Sequence, residues 1–293
     1  MNANVDPRYK YPRPPMPFQQ QPDQPGATEP MHPTPDHGEK SYVGHARLSG
    51  QRAFVTGGDS GIGRAVAIAY SREGADVAIS YLPSEHSDAA ETEHWVHKAG
   101  RKCVLLPGDL REEAVCVEVV ERATDELGGL DIVVLNAGVQ HNRGPDADIE
   151  RSQIMEVFET NLVAPLLIMR QAASKLQPGA SVIVTASIQS FDPSPDLLDY
   201  AMTKAALVGF TRALAEEQGP KGVRVNAVAP GPIWTPLIAA TGWHEKLRHF
   251  GENTPLGRPG QPAELAGAFV YLASEDASYV SGAVLPVTGG LHL

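Results

Sequence analysis

At 293 residues and a net charge of −11, the chain has room for one large α/β domain or two small ones, and its acidity excludes nucleic acid and anionic membrane as main partners. It has neither an apolar run of roughly eighteen residues nor a basic segment leading into an apolar one, so a cytoplasmic protein outside the membrane is expected. Cys103 and Cys116 are the only cysteines. Their spacing suits neither a metal site nor a redox pair, and reduced, buried thiols are expected. No metal site is expected either, since His32 and His37 lack clustered partners and read as solvated.

Residues 1–48 form a separate compositional zone in which proline recurs from Pro7 to Pro35 among Gln, Asp and His. So little apolar surface predicts an extended or disordered arm. The alternative is an arm that wraps a neighbouring subunit through Tyr9, Tyr11 and Phe18. Its removal is expected to leave the rest intact, because the motifs of residues 49–293 begin beyond Leu48.

From there the texture changes. Ala53-Phe54-Val55-Thr56 reads as a strand, residues 57–63 (GGDSGIG) as a tight turn, and 64–73 as a helix. Further strands are predicted over 76–80, 103–106, 131–135, 181–185, 223–228 and 284–287. Helices are predicted over 87–99, 112–127, 150–176, 200–218 and 262–273. Gly74, Gly100, Gly128 and Gly219 stand where left-handed caps end helices. Uniformly apolar strands alternating with helices predict a parallel sheet covered on both faces.

The turn Gly57-Gly58-Asp59-Ser60-Gly61-Ile62-Gly63 closes a strand and opens a helix. Such a turn lets backbone approach a pyrophosphate, and the helix N-terminus adds free N–H groups and positive dipole. A tight turn with no ligand is the alternative. Asp59 is awkward, because a carboxylate repels a pyrophosphate; it is expected to face solvent or to cap a backbone N–H.

Further on, Tyr200 and Lys204 lie four apart on one helical face, where an ammonium favours phenolate over phenol. Ser187, at the end of the preceding strand, can face the same pocket. The loop between them holds Asp192-Pro193 and Ser194-Pro195, which forbid helix and sheet alike.

Thr56-Gly57 through Gly61-Ile62-Gly63, Asn136-Ala137-Gly138, Asn161, Ser187, Tyr200 with Lys204, and Pro230-Gly231 together resemble the short-chain dehydrogenase/reductase family. The resemblance covers about residues 49–290. A bacterial subgroup of oxidoreductases is also similar in its Pro-rich extension, which ends here in Pro35-Asp36-His37-Gly38-Glu39.

The resemblance implies a doubly wound (Rossmann) sheet of seven parallel strands in a single domain with an extended N-terminal arm. It also implies an NAD(P)-dependent oxidoreductase that interconverts an alcohol and a carbonyl. Tyr200 would be the acid/base. Lys204 would lower the phenol's pKa and bind the nicotinamide ribose. Ser187 would hold the substrate oxygen, and Asn161 would bend its helix and hold a water leading to Lys204. Gly57, Asp59, Ser60, Gly61, Ile62 and Gly63 would surround the diphosphate. Asp109 and Leu110 would meet the adenine, although Asp109 reads nearly as well as a helix N-cap. Asn136, Ala137 and Gly138 would lie along the adenosine, with Leu135 where the family usually has a second asparagine. Pro230, Gly231, Ile233 and Thr235 would contact the nicotinamide. Residues 236–258, with Trp243, His244 and Phe250, fall where the family keeps its substrate lid. A homotetramer is implied, with the helices of Glu150 and Tyr200 and the strand near Val284 at subunit contacts.

The choice of nucleotide is balanced. The second strand ends Ile79-Ser80-Tyr81-Leu82, with neither an acid for a ribose 2′-hydroxyl nor a base for a 2′-phosphate. The Ser80 and Tyr81 hydroxyls serve either, and Arg64 is aimed toward the pocket rim, so use of both NAD and NADP is expected. The partner is then a small carbonyl or alcohol substrate. A cofactor-binding redox sensor acting through a protein partner is the alternative; the intact Tyr200 and Lys204 weigh against it.

Overall fold

Uniformly apolar strands require burial on both faces, and the computed structural model, which describes residues 5–22, 24–143, 150–243 and 245–293, provides it. The strands are β1 (Arg52–Thr56), β2 (Asp76–Tyr81), β3 (Cys103–Pro107), β4 (Ile132–Leu135), β5 (Ser181–Thr185), β6 (Arg224–Pro230) and β7 (Val284–Val287). They form one parallel seven-stranded sheet in the order β3-β2-β1-β4-β5-β6-β7. This is the doubly wound architecture expected. The order reverses between β1 and β4, which opens a crevice beyond their carboxyl ends.

The helices are α1 (Gly61–Arg72), α2 (His86–Lys98), α3 (Glu113–Leu127), α4 (Arg151–Phe158), α5 (Ala164–Ala172), α6 (Leu198–Gln218), α7 (Pro236–Ala239) and α8 (Pro262–Ala273). Successive strand residues point to opposite faces. Ala53 and Val55 therefore pack with Val66, Tyr70 and Phe269 of α1 and α8. Phe54 instead packs in the cluster of Val119, Ile168 and Leu207, from α3, α5 and α6. Cys103 and Cys116 are free and buried, and burial pushes their thiols up to about 12 and about 11. Among the described residues no helix is long and apolar enough to cross a membrane.

Two elements depart from the expected pattern. The helix predicted over 150–176 is broken by a π-helical stretch, Glu159–Val163, between α4 and α5. Gly219 does not cap its helix in the left-handed region: its φ is −52°, and the chain tightens through Gly219–Lys221 before Gly222 reverses it at φ 77°. Pro220 suits the start of that extra turn, since its missing N–H is not needed there. Gly74, Gly100 and Gly128 do adopt positive φ.

The arm has no strand and only a three-residue helical turn, Pro7–Tyr9, among its described residues. It lies against its own chain, where Met16 and Met31 are buried with Trp234, Ile238 and Leu247. His37, expected in solvent, is buried with its Nδ1 2.9 Å from Glu39. Composition undercounts this segment because two methionines suffice when the receiving surface comes from elsewhere.

Candidate active site

The carboxyl ends of β1, β2, β4, β5 and β6 open into a cavity of about 840 Å³. At its floor is the glycine turn. Gly57 (φ 61°) and Gly61 (φ 49°) occupy the left-handed region that disfavours any side chain. A Cβ on Gly63 would overlap the Gly57 carbonyl oxygen, so α1 starts directly on the turn. Gly63 thus acts by close packing and does not line the cavity.

Asn136 joins the turn to the neighbouring strands. Its Nδ2 donates to the carbonyls of Thr56 and Gly57, both at 3.1 Å, and its Oδ1 accepts from Thr185 Oγ1 at 3.2 Å. Thr56 Oγ1 accepts from the backbone N–H groups of Asn136 (2.8 Å) and Ala137 (3.0 Å). Leu135, where a polar residue would be usual, is simply core.

At one end of the cavity stand Asp59, Ser80, Tyr81, Glu85 and Asp109. Asp59 does not face solvent; it is buried, and its carboxyl accepts from a backbone N–H, as the second expectation had it, and from Ser60, while also meeting the Glu85 carboxyl. Two carboxyl groups make that contact only with a proton between them. Burial raises both, Glu85 up to about 9. Arg64 does not reach the rim either. It is buried, with Nε donating to the Asp59 carbonyl at 2.7 Å and Nη2 to Asp88 Oδ1 at 2.7 Å. Ser80 Oγ is fully buried without a partner among the described residues, and Tyr81 Oη lies 3.0 Å from His86 Nδ1. Asp109 accepts from its neighbour Arg111, which holds the carboxyl below its usual range. Because α3 begins only at Glu113, Asp109 is not its N-cap.

At the other end, Ser187 and Tyr200 both line the cavity; burial pushes the Tyr200 phenol up to about 12, against the opposing effect of the Ser187 hydroxyl. Lys204 Nζ donates to the Thr185 carbonyl at 2.8 Å and lies 5.4 Å from the centre of the Tyr200 ring. Burial lowers Lys204 to about 8. With the protein's own groups alone, desolvation outweighs the expected pull of the ammonium on the phenol. The Tyr200 phenol is therefore neutral at neutral pH.

Asn161 lies within the π-helical stretch, not on the cavity wall. Its Oδ1 accepts from Val139 N at 2.9 Å, while Nδ2 donates to Val139 O (3.0 Å) and Thr203 Oγ1 (3.1 Å). The irregular turn lets one side chain satisfy the chain leaving β4 and touch α6 beside Lys204.

The family model described as enoyl-(acyl carrier protein) reductase matches residues 57–292. An uncharacterised oxidoreductase of Escherichia coli K12, YghA, is 51% identical over the full length of both chains. A glucose and ribitol dehydrogenase of carrot is 40% identical, covering 94% of this chain and 96% of its own. A short-chain dehydrogenase of Burkholderia cenocepacia J2315, solved in complex with NADP, superposes with a TM-score of 0.78 at 31% identity, over 83% of this chain and 98% of its own. The chain belongs to the short-chain dehydrogenase/reductase family.

In this short-chain dehydrogenase/reductase every residue proposed from sequence for cofactor or catalysis lines the cavity except Gly63 and Asn161. Trp243 and Phe250 also line it, with ring centres 5.8 Å apart, whereas His244 lies outside the described residues. Sequence patterns missed Gln24 and Pro25, which line the cavity from the arm, and offered no signal for them, since nothing local marks them as facing a pocket. Asn161→Ala is expected to destabilise the fold by at least about 2 kcal/mol, because both Val139 backbone groups lose their partner. Urea denaturation measures this, with an unchanged midpoint as the contrary result.

Proposed function

We propose that this oxidoreductase interconverts an alcohol and an aldehyde or ketone, using NAD or NADP, with Tyr200 as acid/base. The observation that carries this reading is the Ser187–Tyr200 pair, with its phenol kept protonated, on the wall of the cavity that the glycine turn floors. The orphaned Ser80 hydroxyl in that wall and the side-chain-free turn fit a nucleotide. The turn would hold the diphosphate, Asp109 and Leu110 the adenine, Asn136, Ala137 and Gly138 the adenosine, Lys204 a ribose, and Pro230, Gly231, Ile233 and Thr235 the carboxamide end.

A bound nicotinamide supplies or receives the hydride. Ser187 orients the substrate oxygen and stabilises its developing charge, and Tyr200 gives that oxygen its proton, taking it back in the reverse direction. The NADP in the Burkholderia structure and the NADPH in that of a metagenomic blue fluorescent protein support the cofactor class. The name of the carrot relative adds sugars and polyols to the simple carbonyls worth screening. A cytoplasmic setting is supported by the two free thiols.

Tyr200→Phe is expected to lower turnover by about two to four powers of ten while leaving the nucleotide dissociation constant nearly unchanged. Lys204→Met should impair both. Steady-state rates and calorimetric titration check this, and full turnover by Tyr200→Phe would refute the assignment.

Both nucleotides should bind at neutral pH with constants within roughly thirtyfold, about 2 kcal/mol. Glu85 bears on this balance. Its carboxyl, pushed up to about 9, is neutral below that pH and anionic above it. A 2′-phosphate is then repelled more strongly as pH rises, so the ratio of NADPH to NADH dissociation constants should increase through pH 9. A flat ratio in wild type, or the same rise in Glu85→Gln, would contradict this.

We also propose a homotetramer built through α4, α5, α6 and the neighbourhood of β7. Exposed apolar side chains on these elements support it: Met155, Val163 and Leu166, Leu198 and Met202, and Tyr279. Leu166→Glu combined with Met202→Glu should yield a smaller particle in analytical ultracentrifugation; a monomeric wild type would overturn the proposal.

A further inference from the structure

The Pro-rich arm is tied to two walls of the cavity. Gln21 N donates to the Ala239 carbonyl at 3.0 Å, and Gln24 Nε2 donates to that of Leu237 at 3.1 Å, so this part of the arm lies along α7. Thr28 N donates to Asp88 Oδ2 at 2.9 Å, and Asp88 holds Arg64, which in turn holds the Asp59 carbonyl of the glycine turn. The start of α7 touches the same turn: a Cβ on Gly61 would lie 3.2 Å from Thr235 Cγ2. Both sides of this crossing are anchored. Met16 N donates to Arg248 O at 2.7 Å and Trp234 Nε1 to Pro33 O at 2.8 Å, over the buried cluster of Met16, Met31 and Trp234.

Between these anchors Gln24 and Pro25 line the cavity, and Gln24 Oε1 is buried without a hydrogen-bond donor among the described residues. A buried amide oxygen without a donor is unfavourable, and because the Gln24 side chain lines the cavity, a small turn of its amide would bring that oxygen to a donor held there. A nicotinamide dinucleotide carries ribose hydroxyls and amide N–H groups able to act as that donor.

We infer that residues 24–28 of the arm are part of the nucleotide-binding site, with Gln24 as a ligand-contacting side chain and the arm and α7 seated together over the glycine turn. The inference rests on reading the cavity as a nucleotide site. It replaces the expectation that the arm can be removed without consequence for that site. If the seated arm contacts the nucleotide, binding and seating are coupled and each favours the other equally.

Gly26 offers a way to unseat this crossing. It sits at φ 81°, and a Cβ there would lie 2.7 Å from Pro236 O and 3.0 Å from Ala240 Cβ. The test compares full-length wild type, Gly26→Val and Gln24→Ala. Dissociation constants for NADPH and NADH come from tryptophan fluorescence, with Trp243 on the cavity wall as reporter, and thermal unfolding confirms the fold. Limited proteolysis of the arm is timed with and without nucleotide.

Both variants are expected to bind about tenfold or more weakly, the worth of one lost hydrogen bond. Nucleotide should slow cleavage of the arm in wild type and not in Gly26→Val. Gln24→Ala leaves Met16 and Met31 anchored and decides the matter even where Gly26→Val does not fold. Wild-type affinity in a folded Gln24→Ala, with arm cleavage indifferent to nucleotide, overturns the inference alone. A wild type that binds neither nucleotide overturns the nucleotide reading and the inference with it.

Discussion

The hydrogen bonds that Asn136 makes at the ends of β1, β4 and β5 are the constraint on which the rest of the site depends. Parallel strands bring their carboxyl ends to one edge of the sheet, but they leave the chain there free to diverge. Asn136 prevents this by donating to Thr56 and Gly57 while accepting from Thr185. Because Lys204 donates to the Thr185 carbonyl, the same network links the turn at one end of the cavity to the helix of Tyr200 and Lys204 at the other. Displacing β4 by a fraction of a hydrogen-bond length would disturb both.

Burial, more than pairing of opposite charges, sets the chemistry of the cavity. It moves Tyr200 up to about 12 and Lys204 down to about 8, so the phenol holds its proton more firmly while the ammonium beside it gives one up more readily. At the other end it raises both Asp59 and Glu85, which lessens the negative charge that two neighbouring carboxyls would otherwise place beside the cavity. Arg64 is spent on Asp88 and the turn's own backbone, so its guanidinium is not free to select a phosphate.

The arm and the lid segment depend on each other in the same way. Together Met16, Met31, Trp234, Ile238 and Leu247 form a third buried cluster, separate from the two that flank the sheet. The extended backbone of the arm, rich in proline, loses less conformational entropy on docking than a flexible segment would.

The sequence by itself determined whatever follows from local periodicity and local sterics. The strand–turn–helix at Gly57 to Gly63, the helical spacing of Tyr200 and Lys204, and the apolar strands of a doubly buried parallel sheet are all of this kind, because side-chain direction repeats every two or 3.6 residues whatever the surroundings. Tertiary structure alone decided the rest. Asp59 finds Glu85, Arg64 turns to Asp88, His37 is buried and Gln24 meets Leu237 because segments distant in the chain converge there. Even the π-helical break at Asn161 belongs to this second group, since its side chain's partners, Val139 and Thr203, lie on other segments. A partner's identity and the loss of water around it are properties of that convergence, and no pattern within one segment encodes them.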